Sequence, residues 1–484
     1  MRFILAHDLG TTGNKASLFD ENGQLRASHT ASYQVTYPHP RWAQQNPDDW
    51  WNAVCDATRA LLAQIPDAAQ NIAAVSFSGQ MMGVVAVNAQ HTPLHPAIIW
   101  ADQRAQAQSD FIAKHCGAEK VYQRTGHRIS PAYTAAKILW LKNNAPDVYA
   151  RAEKFLFPKD YIVLKLTGNA VTDFSDASGS NLFDLQTRAW CSDFIDALAL
   201  DERKLPRILS SVTIAGEITR DAAEATGLRA GTPVVIGGGD GSCAAVGAGV
   251  VEPGDCYCNI GSSAWISFSS DTPLLDAAQR TFTFHHLHPT RYTPMGTMQT
   301  AGGARDWFRS IAGDVSENEI AQTPVGANDV LFLPYLIGER SPWWNPQARG
   351  AFVGLTMTHT RADMARAVME GVAYNLKLIL LALESQGANI PAVRFIGGGA
   401  QSQVWQQMLA DIFNKPIQLL ELQAEATAWG AAVAGGIGAG VYKDWNIANA
   451  QTHITRVIEP VSENAARYAE HVTRFAESYR ALNQ

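Results

Sequence analysis

Apolar residues come in short runs that end abruptly in polar or glycine-rich turns. Phe3-Ile4-Leu5-Ala6 leads into Asp8 and then Gly10-Thr11-Thr12-Gly13, after which alternation resumes at Ala16 and Leu18. That pattern predicts a buried strand, a tight turn and a second strand. Residues 72–79 form another such run, leaving through Gly79-Gln80-Met81-Met82-Gly83, and Ile98-Ile99-Trp100-Ala101-Asp102-Gln103-Arg104 repeats the plan. A fourth run, Pro233-Val234-Val235-Ile236, delivers Gly237-Gly238-Gly239-Asp240-Gly241. Between the runs lie helical stretches. Asn46 reads as an N-cap with Pro47 at the first helical position and Asp48 and Asp49 at the positive end of the dipole. Residues 135–143 read as a helix, and Thr360 with Asp363 reads as a capping box ahead of the stripe Met364, Ala367, Val368, Gly371, Val372, Leu376, Ile379 and Leu380. A further helix begins near Gln401. The segment 154–184, with Pro158-Lys159-Asp160-Tyr161 and Thr172-Asp173-Phe174-Ser175-Asp176, reads as a loop dense in hydroxyls and carboxylates. Strands alternating with helices predict α/β sheets, with ligands at the carboxyl ends of the strands.

The plan occurs twice. Cys256-Tyr257-Cys258-Asn259-Ile260-Gly261-Ser262-Ser263 repeats the opening hairpin, with Asn259 where Asp8 stands and two serines where Thr11 and Thr12 stand. Val393-Arg394-Phe395-Ile396-Gly397-Gly398-Gly399-Ala400 repeats the strand and glycine triplet of 234–240, with Ala400 at the place of Asp240. Two duplicated α/β domains are therefore expected, 1–245 and 246–484, with the charged groups kept in the first. The halves join near residues 243–252.

Composition narrows the partners. The chain has 484 residues, 46% hydrophobic and 17% charged, with a net charge of −7. This leaves no general basic surface for nucleic acid or membrane and points to small molecules. Asp8 interrupts the only N-terminal apolar run, so neither a signal peptide nor a bilayer span is expected, and the cytoplasm is the expected location. Six scattered cysteines lack metal spacing and read as free core thiols. The pair Trp343-Trp344 fits either an interface in a homodimer or a cleft wall.

The chemistry concentrates at the strand ends. Gly10, Thr11, Thr12 and Gly13 can surround phosphate oxygens with backbone N–H groups, and the spacing is not that of a Walker loop. A carboxylate beside phosphate calls for a cation between them, so Asp8 reads as a Mg²⁺ organiser. Asp240 reads as the general base for a hydroxyl that attacks phosphorus. Asp102 and Arg104 fit either mutual pairing or contact with a substrate.

These residues resemble the FGGY-type carbohydrate kinases, the family of glycerol kinase, gluconokinase and xylulokinase, over nearly the whole chain. The resemblance rests on Asp8-Leu9-Gly10-Thr11-Thr12, Trp42 within Pro-His-Pro-x-Trp, Gly79-Gln80-Met81, Trp100-x-Asp102-x-Arg104, Lys137-Ile138-Leu139-Trp140 and Gly239-Asp240. It extends to Gly350–Leu355, Arg366–Gly371 and Gly397–Ala400. It implies two actin-like ribonuclease-H-fold domains with a cleft between them, and phosphoryl transfer from ATP with Mg²⁺ to a sugar. By resemblance, Asp240 and Asp8 serve catalysis and the metal. Gln80, Met81, Met82, Trp100, Asp102, Arg104 and Gly241 face the sugar. Gly10, Thr11, Thr12, Lys15, Gly261, Ser262, Gly302, Asp306, Gly399, Ala400 and Gln403 face the nucleotide. Xylulokinases match best in size and in Leu333-Pro334-Tyr335-Leu336-x-Gly338-Glu339-Arg340. This chain nevertheless has Met82 and Gly241 where they commonly carry His and Asn. Gluconate, a pentitol or another ketose remain alternative acceptors, with Arg104 or Lys159 as the cation a carboxylate acceptor would need. An actin-like nucleotide switch is the alternative of another class.

Overall fold

The computed structural model describes residues 1–422 and 425–483. Two seven-stranded sheets organise it. In the first, the order is Ile214–Glu217, Pro233–Val235, Ile72–Gly79, Phe3–Leu9, Gly13–Asp20 and Leu25–Ser32, with the two-residue strand Gly238–Gly239 also on Ile72–Gly79. The second runs Phe282–His285, Tyr292–Met298, Ala264–Phe268, Cys256–Ile260, Val393–Ile396, Ile417–Leu422 and Thr452–Ile458. Central strands are apolar throughout because both faces are covered; Ile4, Leu5 and Ala6 have no exposed surface.

The duplication is real, but one correspondence shifts. In each sheet a hairpin's first strand pairs in parallel with the next: Phe3–Leu9 with Ile72–Gly79, and Cys256–Ile260 with Val393–Ile396. Val393–Ile396 is thus the counterpart of Ile72–Gly79, and Ile417–Leu422 is the counterpart of Pro233–Val235. Ala400 lies after the strand equivalent to Ile72–Gly79, so it is not the counterpart of Asp240. The glycine triplets misled because both answer one local demand. Gly237 and Gly397 have φ of +66° and +86°, and a Cβ would lie 1.9 Å from Phe77 O at the former and 2.6 Å from Ile260 O at the latter. Close crossing of a neighbouring strand's backbone recurs at different places in the topology.

The expected helices form at Pro47–Leu62, Thr134–Asn144, Arg361–Glu384 and Gln403–Phe413, the last after a short 3₁₀ turn. Asn46 caps the first through Asp48 N at 3.3 Å, and Trp50, Ala53, Val54, Ala57 and Leu61 bury its inner face. Thr360 and Asp363 form the capping box. The segment 154–184 departs from the loop expectation. It folds as helix Pro158–Thr167, strand Val171–Asp173 and helix Phe174–Ser178, because Pro158 opens an apolar helix and Asp173 caps the next one. All six cysteines are buried and free. Trp343 stacks on Tyr479 at 4.0 Å, and Trp344 meets Phe282 at 6.0 Å, so both rings are spent within the chain.

Two helices fill the space between the sheets. Asp240–Gly247 follows the first sheet's glycine triplet, and its Cys243 and Val246 join the cluster of Ile4, Ala74 and Val235; beside it, Ala245 packs with Tyr257 and Ile396 of the second sheet. Ala426–Gly438 lies against the first sheet, on Ile4, Phe19 and Ala74. The helices touch backbone to backbone: a Cβ on Gly247 would lie 1.7 Å from Ala426 O, and one on Gly430 would lie 2.0 Å from Cys243 O. The junction near residue 245 is therefore the middle of a packed helix rather than a linker. Gly430→Val should lower the urea midpoint by the equivalent of about 1–3 kcal/mol, the usual cost of overpacking. An unchanged midpoint would show that the helix pair yields.

Candidate active site

Register brings the charged strand ends together. Asp8 pairs with Ser78, and Ser78 with Gly238, across three adjacent strands. Asp8 and Asp240 thus flank the tip of Ile72–Gly79. Ser78 Oγ donates to Asp8 Oδ1 at 3.0 Å. Asp240 is the first residue of helix Asp240–Gly247, and Gly241 N donates to its Oδ1 at 2.8 Å. It keeps a partly accessible edge, yet burial and then the charge of Asp8 push its pKa up to about 7. Burial likewise raises Asp8, opposed by Ser78 and Lys15. Lys15, paired across the hairpin from Asp8, lies 3.7 Å from Glu425.

The opening hairpin is braced from outside. Gly10 N bonds Gly13 O at 3.0 Å, and the Tyr33 hydroxyl donates to Gly10 O and Gly13 O at 2.6 and 3.0 Å. Gln45 Nε2 holds Thr11 O at 2.8 Å, and Trp100 Nε1 donates to Thr11 Oγ1 at 2.9 Å. Gln80 joins this bracing instead of the sugar pocket: it is buried, and its amide donates to Gly10 O and Gln45 Oε1. Thr12 O receives Tyr33 N.

The acceptor side is largely thioether and aromatic. Met81 lies over the Gly239-Asp240 turn, since a Cβ on Gly239 would be 2.6 Å from its side chain, and Met81 packs with Phe282, Phe284 and Met295. Met82, at φ +63°, and Trp344 border that cluster. Lys137 fixes the Met82 backbone by donating to Met82 O and Ala132 O at 2.8 and 2.5 Å, and burial lowers its pKa to about 7. Asp102 and Arg104 do not join this pocket. They pair at 2.7 Å with both side chains fully buried; Asp102 accepts from Ala43 N at 2.6 Å, and the guanidinium stacks 3.8 Å from the Trp42 ring. Lys159 is equally spent, with Asp160, Asp173 and Asp176 at 2.7, 2.9 and 3.2 Å. Neither cation is available for a carboxylate acceptor.

The opposite wall repeats the hairpin cradle. Gly302 N and Gly303 N bond Gly261 O and Ser262 O at 2.9 and 3.0 Å, and a Cβ on Gly302 would lie 2.5 Å from Gly261 O. Gly399 packs on Ile260, where a Cβ would be 2.8 Å away. Glu317 ties the two helix starts together: Arg305 reaches it at 2.9 Å and Ser402 Oγ at 2.8 Å. Asp306 and Gln403 are exposed on those helices, and Ala400 lies in the 3₁₀ turn between them. Gly261, Ser262, Gly302 and Gly399 are thus brought together.

Several residues escaped the sequence reading. Ser78, Tyr33 and Gln45 carry no motif: Ser78 acts through the Asp8 carboxylate, Tyr33 and Gln45 through backbone carbonyls. Phe282 and Phe284 come from the second sheet, and the period-two run Thr281-Phe282-Thr283-Phe284-His285 was their available signal.

Two glycine turns, a carboxylate pair at adjacent strand tips and an apolar cluster on Met81 are the parts expected of a two-domain kinase for small molecules. The FGGY carbohydrate kinase N-terminal domain matches residues 3–247, and the C-terminal domain matches residues 256–439. Xylulose kinase of Escherichia coli K12 is 34% identical over 481 residues, covering 99% of this chain and 98% of that protein. Among crystal structures, the ligand-bound xylulose kinase of Lactobacillus acidophilus has a TM-score of 0.94 at 30% identity, over 100% of this chain and 98% of its own. The gluconate kinase of the same organism also reaches 0.94, at 29% identity over 99% and 98%. The chain belongs to the FGGY family of carbohydrate kinases and has its two-domain, actin-like ribonuclease-H fold. The nucleotide-switch alternative falls with that assignment.

The raised pKa of Asp240 has a thermodynamic consequence. A carboxyl whose folded pKa exceeds its unfolded value contributes stability below about pH 4, which is lost as pH rises through about 7. Asp240→Asn removes that loss. Without ligands, the variant should melt at least ~2 °C above wild type at pH 8 and gain less at pH 5. Equal shifts at both pH values in calorimetry would place the carboxyl in a solvated setting.

Proposed function

We propose that the chain transfers the γ-phosphoryl group of ATP to a terminal hydroxyl of a ketopentose, D-xylulose first. The observation carrying this reading is the acceptor pocket: Met81 lies on the Asp240 turn and clusters with Phe282, Phe284 and Met82, while Arg104 and Lys159 are consumed by buried aspartates. A neutral sugar suits such a wall. The full-length similarity to xylulose kinase points the same way.

In this reading Asp240 accepts the proton of the attacking hydroxyl, and a pKa near 7 matches that task at neutral pH. Gly10, Thr11 and Thr12 on one wall and Gly261, Ser262 and Gly302 on the other hold phosphate oxygens, with Lys15 beside the first cradle. Asp306, Gly399, Ala400 and Gln403 border the nucleotide, and Gly241 leaves room beside Asp240. Two carboxylates whose proton affinity burial raises, with the charge of Asp8 adding to that of Asp240, fit a magnesium ion shared with phosphates. When bound, that ion neutralises charge on the transferring group. The working division is 1–245 for acceptor and base and 246–484 for nucleotide. Among the described residues no helix is long and apolar enough to cross a membrane, consistent with a cytoplasmic enzyme acting on small molecules.

Gluconate is the second reading, and Arg128 favours it. The guanidinium lies 5.5 Å from the Trp344 ring beside the pocket and donates to Gln279 Oε1 at 3.4 Å, and burial lowers its pKa against an opposing effect of Tyr122. ADP release measured with D-xylulose, other ketoses, pentitols and gluconate separates the readings. D-xylulose should give the highest kcat/KM; gluconate exceeding it tenfold would reverse the order. Met82→His with Gly241→Asn would restore the polar groups that xylulokinases commonly carry. If another ketose leads the panel, this pair should raise kcat/KM for D-xylulose roughly tenfold, about 1.4 kcal/mol. No gain would mean that other residues bind the sugar.

A further inference from the structure

Beneath the catalytic turn lies a buried charge cluster that the proposed chemistry does not use. Lys159 has Asp160, Asp173 and Asp176 around it, and all four side chains are fully buried. One ammonium does not balance three carboxylates, and burial raises Asp176 well above the ordinary carboxylate range. A cluster of this kind is a poor device for stability, since apolar residues of equal volume usually serve as well or better.

The cluster sits directly under both strand tips. A Cβ on Gly79 would lie 2.8 Å from Lys159 Cβ, and one on Gly238 would lie 2.7 Å from Ser175 Oγ. The Ser175 hydroxyl connects it directly to the strand Gly238–Gly239: Ser175 Oγ donates to Asp173 Oδ2 at 2.5 Å and accepts from Gly239 N at 2.9 Å. Gly239 is the N-cap of the helix whose first residue is Asp240. Asp173 Oδ2 also accepts from Ser175 N at 2.8 Å and from Ser211 Oγ at 2.8 Å, and Lys159 holds the other oxygen at 2.9 Å. Asp173 therefore has little freedom to turn.

We propose that Ser175, oriented by Asp173 and Lys159, is a positioning residue for Asp240. It fixes the peptide before the base, and so the direction in which the carboxylate meets the sugar hydroxyl. The proposal rests on Asp240 being the base. Catalysis is sensitive to such placement, because a reacting group displaced by about 1 Å can cost roughly 100-fold.

Ser211 supplies the control. Its hydroxyl binds the same Asp173 oxygen without touching Gly239, so Ser211→Ala removes a comparable buried hydrogen bond while leaving the Ser175–Gly239 bond, and the bond from Gly237 N to the Ser211 carbonyl, in place. Ser175→Ala should lower kcat about tenfold or more while KM for sugar and ATP stay within about twofold; Ser211→Ala, which only loosens Asp173, should cost clearly less. Introduced into Asp240→Asn, Ser175→Ala should cost nothing further, because it acts through the missing carboxylate. Ser175→Cys keeps the volume with a weak sulfur partner and should show the same kcat loss, so the test survives if the alanine variant folds poorly. The proposal is overturned by wild-type kcat in folded Ser175→Ala or Ser175→Cys. Equal kcat losses in Ser175→Ala and Ser211→Ala, or an undiminished Ser175 effect in the Asp240→Asn background, overturn it too. Wild-type activity of Asp240→Asn alone overturns the base assignment instead, which keeps the two failures distinct.

Discussion

The close packing of helices Asp240–Gly247 and Ala426–Gly438 between the two sheets is the constraint on which the rest depends. Gly247 and Gly430 let the helices meet backbone to backbone, and side chains on their outer faces reach opposite sheets. The first of these helices begins at Asp240. The contact that joins the halves therefore also fixes the level at which Asp240 emerges. A β-branched or even an alanine side chain at either glycine would force the backbones apart.

A second seam ties the halves together. The edge strand Phe282–His285 belongs to the second sheet but is bonded to the first half: Thr283 N reaches Gly126 O at 3.1 Å, His285 N reaches Ser178 Oγ at 3.0 Å, and Ser242 Oγ reaches His285 O at 2.9 Å. Phe282 and Phe284 are thereby held next to Met81 by contacts from both halves.

The sequence made the strands legible, because both central hairpins are apolar runs ended by glycine, and it made most helix starts legible through Asn46, Pro47, Thr360 and Asp363. Asp8 and Asp240 were legible as charges at the ends of buried strands. What it hid was partnership across long separations. Asp102 and Arg104 look poised for substrate in a linear reading, yet Trp42 and Ala43 close over them. Lys159 looked like a loop cation until Asp173 and Asp176 folded back around it. The equation of Ala400 with Asp240 failed because glycine triplets report a close backbone crossing, which occurs beside more than one strand of a sheet.

The proposed function requires a carboxylate held at this helix start to accept the proton of the sugar hydroxyl. The direct measurement is kcat of Asp240→Ala with its best sugar, beside ATP affinity by calorimetry. A fall of roughly 10²–10⁴-fold in kcat is expected, the usual cost of removing a general base, with ATP binding retained. A variant that folds, binds ATP and phosphorylates the sugar at the wild-type rate would contradict it.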